Sequence, residues 1–486
     1  MKRIEYKWLV ALVFVFGLFM ELLDMTITNV ALPTLAREFN ATTSGIEWVV
    51  TGYLLSLAVF IPISGWAGDR FGTKRTFMFA LFVFTVSSTL CALAWSIESL
   101  IAFRALQGVG GGMLTPVGTT MLFRAFPPRE RARASAVLVL PTVVAPASGP
   151  ILGGYLVEFH SWHWIFLINI PIGLAGLVVA ALALREQREP NPGRLDLLGF
   201  LLAAPGLAAV IYALGEAGRR GFADARVLGF GLGGLALLAA FVLVELRAAK
   251  PMIDIRLFQN RLFSSSLFAQ VVAFAGFSGA LFLLPLMLQA ERGLGPLQSG
   301  LTTFPQAIGV FVMAPLSARL YPKVGPRRMT MAGLFISALT TASFVLVGLE
   351  TSDWWIRVAM FVRGIGFALV LIPMQTATFA TIRAEDTGRA SAASNSIRQV
   401  ASSFGVALLA TVLANRLVVH QAQLGNPFTR DGAMLAFHDG FFVATVLTLL
   451  GMVAALLIDD RLAAGTMRRG AGVQTGEEEL VAASTH

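Results

Sequence analysis

Apolar residues in this sequence are gathered into blocks about as long as a bilayer is thick. A spanning helix needs about 20 of them, and fourteen blocks qualify. The first six are Trp8 to Ala31, Ile46 to Trp66, Phe77 to Trp95, Leu100 to Phe123, Ala134 to Val157 and Trp164 to Leu184. A shorter pair follows, Leu197 to Leu214 and Val227 to Val244. The last six are Leu262 to Ala290, Leu301 to Leu320, Met329 to Leu349, Trp354 to Ile382, Ala390 to Leu417 and Phe441 to Ile458. The pattern predicts an all-α, polytopic membrane protein with 14 transmembrane helices. Lys2 to Met20 has the basic start and apolar stretch of a signal peptide, but no small-residue cleavage site follows and the run carries Glu21 and Asp24. A retained first span is the better reading.

Composition agrees. Of 486 residues, 56% are hydrophobic and 13% charged, with a mean hydropathy of +0.73; a soluble chain carries about 25% charged residues. A water-soluble enzyme of two or three domains is thereby excluded, because its surface would need more polar side chains than the sequence has. The 37 Lys and Arg exceed the 28 Asp and Glu by +9, which in a soluble protein would suggest nucleic acid. Placement decides against it. With the N-terminus in the cytoplasm, inner segments and inner span ends hold 27 of the 37, among them Arg70/Lys74/Arg75, Arg124/Arg129/Arg131/Arg133 and Arg319/Lys323/Arg327/Arg328, while outer segments hold eight. That asymmetry sets the orientation and puts both termini in the cytoplasm, with Arg219, Arg220 and Arg226 as the exception. Cys91, the single cysteine, lies in an apolar run, so no intrachain disulfide can form.

The chain also repeats itself. Arg133-Ala134-Ser135-Ala136 recurs as Arg389-Ala390-Ser391-Ala392 at an offset of 256, Gly72-x-Lys74-Arg75 as Gly325-x-Arg327-Arg328 at 253, and Arg104 as Arg363 at 259. Spans 1–6 therefore return as spans 9–14 in the same orientation, with two spans inserted between. The domains this predicts are an N-terminal six-helix bundle at 1–184, two inserted helices with linkers at 185–260, a C-terminal six-helix bundle at 261–458, and a polar, acidic, disordered tail at 459–486. Parallel six-helix repeats are a transporter architecture, with substrate bound near the midplane between the halves.

Charges inside hydrocarbon cost about 2.5–3.5 kcal/mol each on insertion scales, and so point to function. Glu21 and Asp24 lie one turn apart in the first span, and Gly17, Glu21, Asp24 and Thr28 share one helical face. Two carboxylates this close in a low dielectric cannot both ionise cheaply, which suits reversible proton binding. The alternative is that Asp24 hydrogen-bonds a neighbouring helix and Glu21 snorkels outward, though an amide would do that without the charge penalty. Arg104 stays protonated and needs a partner, for which the carboxylates of the first span are the candidates. Arg363 faces no acid in span 9, where Gln270 and Gln289 are the strongly polar residues, so proton chemistry is confined to the first half. No cofactor and no metal is expected.

The inner loop Gly65-Trp66-Ala67-Gly68-Asp69-Arg70-Phe71-Gly72-Thr73-Lys74-Arg75 reads as a gating turn in which Asp69 accepts from a helix N-terminus of the other half and Arg70 pairs elsewhere. Pro322 stands where a second acid would be. Gly149, Pro150, Gly153 and Gly154 in span 5 predict a hinge or close helix contact. Phe19, Met20, Gln270, Phe274 and Phe277 are candidates for lining a substrate pocket, with Glu21 as its charge.

Together these residues resemble the major facilitator superfamily, and within it the 14-span drug:proton antiporters. Leu23-Asp24-x-Thr26-Ile27-x-Asn29-Val30-Ala31-Leu32-Pro33 is similar to the family's first-span motif, the Gly65 to Arg75 loop to its inner-loop signature, and Arg104 with Gln107-Gly108 to its fourth-span motif. Gly149-Pro150-x-x-Gly153-Gly154 is similar to the antiporter motif, with Ala145 replacing the opening glycine, and Trp164-Ile165-Phe166-x-x-Asn169-x-Pro171-x-Gly173 to the start of the sixth span. The resemblance implies proton-driven export of hydrophobic, often cationic, compounds from the cytoplasmic membrane by alternating access, with Asp24 as coupling acid, Arg104 as its charge partner, and Asp69 with Arg70 as the latch. Its partners would be small substrates, protons, the lipid bilayer and periplasmic adaptor proteins, with no nucleic acid.

Two alternatives stand beside this one. Export of an endogenous metabolite, lipid or siderophore has no distinguishing feature in the sequence. A membrane-embedded enzyme is disfavoured because His160, His163, His420, His438 and His486 fall outside clear span interiors and neither a His-Glu-x-x-His nor a phosphate-loop pattern occurs.

Overall fold

The computed structural model describes residues 5–41, 43–189, 195–247, 255–423 and 430–467. Among the described residues there is no strand, and the helices in order are α1 (Tyr6–Glu38), α2 (Thr43–Phe71), α3 (Thr73–Ala92), α4 (Ile97–Ala125), α5 (Arg131–Phe159), α6 (Trp164–Leu167), α7 (Asn169–Ala183), α8 (Leu197–Arg220), α9 (Ala225–Arg247), α10 (Arg261–Ala290), α11 (Pro296–Thr303), α12 (Pro305–Val324), α13 (Pro326–Ser343), α14 (Asp353–Thr378), α15 (Thr387–Gln423) and α16 (Arg430–Ala455). Two expected spans are broken. Pro171 has no N–H to give the carbonyl of Leu167, and Pro305 none to give that of Leu301, so the sixth span divides into α6 and α7 and the tenth into α11 and α12.

Among the described residues, twelve helical segments are long and apolar enough to cross a membrane, rather than the fourteen expected. The two outside this set are α4 and α5, each 29 residues and so about 44 Å long. The composition of α4 follows from its place. It packs among α1, α2, α3 and α15, where Gly110, Gly111, Gly112, Thr119 and Thr120 are buried; an interior helix meets protein rather than lipid and carries small residues for close contact.

Helices α1, α3, α4 and α7 gather round a core that includes Phe14, Phe77 and Phe84, and α10, α14, α15 and α16 round one that includes Leu283, Met287 and Phe441. Two seams join these groups: α2 packs on both α4 and α15, and α5 on both α1 and α12. The inserted α8 and α9 pack on each other, and α8 covers the first seam by leaning on α2 and α15, with Leu207 and Ile211 against Ala58 and Val400.

The repeat seen in the sequence extends to the turns. Gly72 before α3 and Gly325 before α13 have φ +96° and +87°, a region open to glycine and strained for other residues. An acid from beyond the last helix of each group then meets the following helix start: Glu186 Oε1 accepts from the Lys74 amide at 3.1 Å, and Asp460 Oδ1 from the Arg327 amide at 2.9 Å. Negative charge at a helix N-terminus is favourable. Residues 459–467, expected to open a disordered tail, are anchored at points, with Ala463 and Thr466 buried and Thr466 Oγ1 2.7 Å from the Tyr321 hydroxyl. The remainder of that tail, 468–486, the linker residues Pro190, Pro192 and Gly193, and Lys2 and Arg3 lie outside the described residues.

Candidate functional site

Close approach of α4 to α2 creates the site. A Cβ on Gly108 would lie 2.5 Å from the Tyr53 carbonyl oxygen, and one on Gly112 2.5 Å from that of Leu57, so both positions need glycine. Arg104, one turn before Gly108, is thereby carried under the Tyr53 ring, 4.3 Å from its centroid, where its Nε donates to the Val49 carbonyl at 3.3 Å.

Asp24 meets it from α1. The carboxylate is fully buried and Arg104 is 1% exposed; Arg104 Nη1 donates to Asp24 Oδ2 at 2.5 Å and to Gln107 Oε1 at 2.7 Å. Asp24 Oδ1 accepts from Gln107 Nε2 at 3.0 Å and from Asn169 Nδ2 at 2.8 Å. Asn169 stands at the break between α6 and α7 and also donates to Ser88 Oγ at 3.0 Å. The Asp24–Arg104 pair expected from the sequence is thus present, inside a ring of amides that the sequence reading had not given roles. Such a cage compensates the desolvation of both charges, and it is built round a carboxylate that can lose its charge facing a guanidinium that cannot.

Glu21 takes a different partner. Its Oε2 accepts from the Thr115 hydroxyl at 2.7 Å, and the nearby cation is Arg398 of α15. Arg398 lies 5.7 Å from the Phe274 ring centroid and donates to Asn395 Oδ1. With Gln270, Gln375, Ser394 and Thr119 it lines a small polar cavity of about 10 Å3.

The other pocket candidates do not form a drug-sized site here. Met20 is fully buried in the first core, Phe19 packs against the cluster of Leu23 and Trp162, and the Phe277 ring stacks on Phe367 at 3.7 Å with Phe274 beside it at 6.5 Å. Packing against neighbouring rings and helices fills the space they were expected to line. A larger cavity, about 890 Å3, lies elsewhere among the described residues, between α8, α9, α10 and α15, under Leu207, Leu238, Val400 and Phe404.

At the basic end Asp69 of the Gly65 to Arg75 loop lies beside Gly388 in the first turn of α15, and accepts a charge-assisted bond from Arg124 Nη2 at 3.0 Å. Arg124 Nε reaches on to the Ala384 carbonyl ahead of α15 at 3.1 Å. Arg70 is exposed. Lys74 Nζ donates to the carbonyls of Ala181 and Leu184 at 2.7 and 2.8 Å, closing the end of α7, and Arg75 Nε lies 3.6 Å from Glu186. Gly65 permits contact with α15, since a Cβ there would sit 2.9 Å from the Gly388 carbonyl oxygen, while Gly68 meets Thr73 at an ordinary distance.

Further bonds between the two groups gather at this same end: Arg131 Nη1 to the Phe379 carbonyl, Ser391 Oγ to that of Pro116 at 2.8 Å, and Ser135 with Thr376 at 3.0 Å. The Phe123 and Phe379 rings stack at 4.5 Å. The basic end is therefore closed. In α5, Gly149 and Gly153 are buried, and a side chain at Gly149 would overlap Thr26 of α1, so this segment is a close helix contact; Gly154 has open space round it, and the Pro150 side chain lies outside the described residues.

This geometry, a polytopic helical bundle with two related groups, a closed end and an ion pair at membrane depth, is that of a membrane transporter. Residues 14–406 match the Major Facilitator Superfamily. The chain belongs to that superfamily. It is similar to the uncharacterized MFS-type transporter YhcA of Bacillus subtilis, 34% identical over 410 residues that make up 84% of this chain and 77% of that one. It is also similar to the Multidrug resistance protein B homolog of Mycobacterium tuberculosis, 37% identical over 394 residues, 80% and 73% of the two chains. Its fold is similar to the crystal structure of the human organic anion transporter MFSD10 (TETRAN), with a TM-score of 0.65 at 15% identity, covering 92% of this chain and 99% of that one.

Proposed function

We propose that this protein is a proton-driven antiporter that exports hydrophobic or cationic compounds across the cytoplasmic membrane by alternating access. The observation that carries the reading is the buried Asp24–Arg104 pair in its amide cage. A proton on Asp24 removes the negative charge that holds Arg104, so the pair exists in one protonation state and is lost in the other. That is the element a proton-coupled cycle needs, a two-state contact whose balance the proton biases. The relative named a multidrug resistance protein supports the substrate class.

In this cycle the basic end is cytoplasmic, with both termini on that side, and Asp69, Arg124 and Ala384 form the latch that closes it. The helices of 1–184 and 261–458 move as two bundles, with the pair within 185–260 bracing the seam. Glu21 attracts the positive charge of a substrate, which competes with Arg398 for the carboxylate. Energy comes from the proton gradient with no cofactor, and a periplasmic adaptor completes the path in cells that have one.

Inverted membrane vesicles test the proposal by following dye uptake and decay of an imposed pH gradient. Asp24→Asn is expected to abolish gradient-driven uptake while substrate binding or exchange persists. Full gradient-driven uptake by that variant refutes the coupling role.

A further inference from the structure

Arg363 of α14 is the counterpart of Arg104, 259 residues on, and is as deeply buried at 2% exposed. Its surroundings are similar in kind, an oxygen acceptor and a covering ring, but no ion pair to it forms among the described residues. Where Arg104 bonds the Val49 carbonyl, Arg363 Nη1 bonds Gln306 Oε1 at 2.9 Å, and where Tyr53 covers Arg104, the Phe277 ring covers Arg363 at 4.6 Å. The place of the Asp24 carboxylate is taken by the backbone carbonyl of Phe277, which accepts from Nη2 at 3.2 Å. A carbonyl dipole does not neutralise a guanidinium, which stays protonated, and an unpaired buried charge is strongly unfavourable.

Two donors are left over beside it. Arg363 Nε has no partner, and neither has the hydroxyl of Ser337, which is 6% exposed. Both side chains line one cavity of about 10 Å3 between α10, α13, α14 and α16, otherwise walled chiefly by Phe274, Phe277, Phe367 and Val370. By that measure about 10–15 Å3 holds a single water-sized body. Thr341 and Thr448 also face it, but their hydroxyl hydrogens are committed to the carbonyls of Ser337 and Ala444 at 2.7 and 2.8 Å. A permanent cation, two unused donors and room for one small body specify the missing partner.

We propose that this cavity binds a small monovalent anion, chloride in the cell, held by the Nε–H of Arg363 and the hydroxyl of Ser337. The ion stands in the second half for what Asp24 is in the first. It is a resident counter-ion and not a transported substrate, so its loss loosens the packing of α10, α13 and α14 without touching the Asp24 site.

The full-length protein, purified in detergent, is melted in sodium chloride and in sodium gluconate at equal ionic strength. The Tm is expected to rise saturably with chloride, by on the order of 2 °C, with bromide acting likewise and gluconate, too large for the cavity, without effect. Arg363→Gln and Ser337→Ala each remove the chloride-dependent increment, and the second serves if the first does not fold. A bromide crystal should show anomalous scattering beside Arg363 Nε. Equal melting in the two salts, or an increment unchanged in Ser337→Ala, overturns the proposal and leaves water in the cavity.

Discussion

Replacing Gly65 by valine should open the basic end. A Cβ built there lies 2.9 Å from the carbonyl oxygen of Gly388 and 3.1 Å from its carbon. These are backbone atoms of α15, so no side chain can swing aside. The helix itself has to retreat by about 0.6 Å to reach the roughly 3.5 Å of ordinary contact, and further for the branches of valine. Overpacking of this kind costs about 1–3 kcal/mol, and the strain exists only while α2 and α15 touch at that end. The closed state is thereby disfavoured against the open one by about 5- to 150-fold. Ser394, 7% exposed, lines the polar cavity behind the closed end and reports on it: S394C is labelled with a maleimide applied from the basic side of inverted vesicles. The background is quiet because Cys91 is buried. Labelling in S394C combined with Gly65→Val should be at least about five-fold faster than in S394C alone, with Gly65→Ala between them. Equal rates in two folded proteins would refute the argument that contact at Gly65 holds this end shut.

Three other outcomes follow from the same geometry. Asn169→Ala removes a donor 2.8 Å from Asp24 and should lower stability by about 1–3 kcal/mol, read as a reduced Tm in detergent; an unchanged Tm would mean that the amide cage does not stabilise the pair. Lys74→Met loses the bonds to Ala181 and Leu184 and should cost about 1–2 kcal/mol, with partial recovery in Lys74→Arg, checked by denaturation midpoints. Glu21→Gln keeps an acceptor for Thr115 but removes the charge, so uptake of cationic dyes should fall relative to neutral ones, and an identical substrate profile would assign Glu21 to packing alone.

How far these sites could be read from the chain depends on what each residue costs to bury. Asp24 and Arg104 stood out because charge in hydrocarbon is expensive, and their pairing followed from Arg104 needing a partner. Gln107 and Asn169 are neutral amides that cost less and gave no such signal, although the i, i+3 spacing of Gln107 from Arg104 places both on one helical face. Arg398 was overlooked for a positional reason. It is the ninth residue of the expected span Ala390 to Leu417, and its place beside Phe274 is visible only once α10 and α15 pack together. The latch shows the limit of reading a loop alone: Asp69 could be seen to need a donor, but Arg124 is 55 residues away and reaches it through the fold. Glu21 and Asp24 share a face as expected, yet part company because α4 offers one of them a hydroxyl and the other a guanidinium.

The two halves keep the same skeleton and differ in what can change. Both bury an arginine under an aromatic ring, both begin their third span after a glycine of positive φ, and both place an acid at that helix start. At an offset of 253 the position of Asp24 is occupied by Phe277. One proton can remove the charge opposing Arg104, whereas no protonation event at Phe277 can alter Arg363. A duplicated transporter in which both halves titrated would have two coupled switches, each needing its own proton. Here a carboxylate faces the buried arginine of the first half and a backbone carbonyl that of the second, so under the proposed coupling a proton on Asp24 breaks the one ion pair and leaves the contacts of Arg363 as they are.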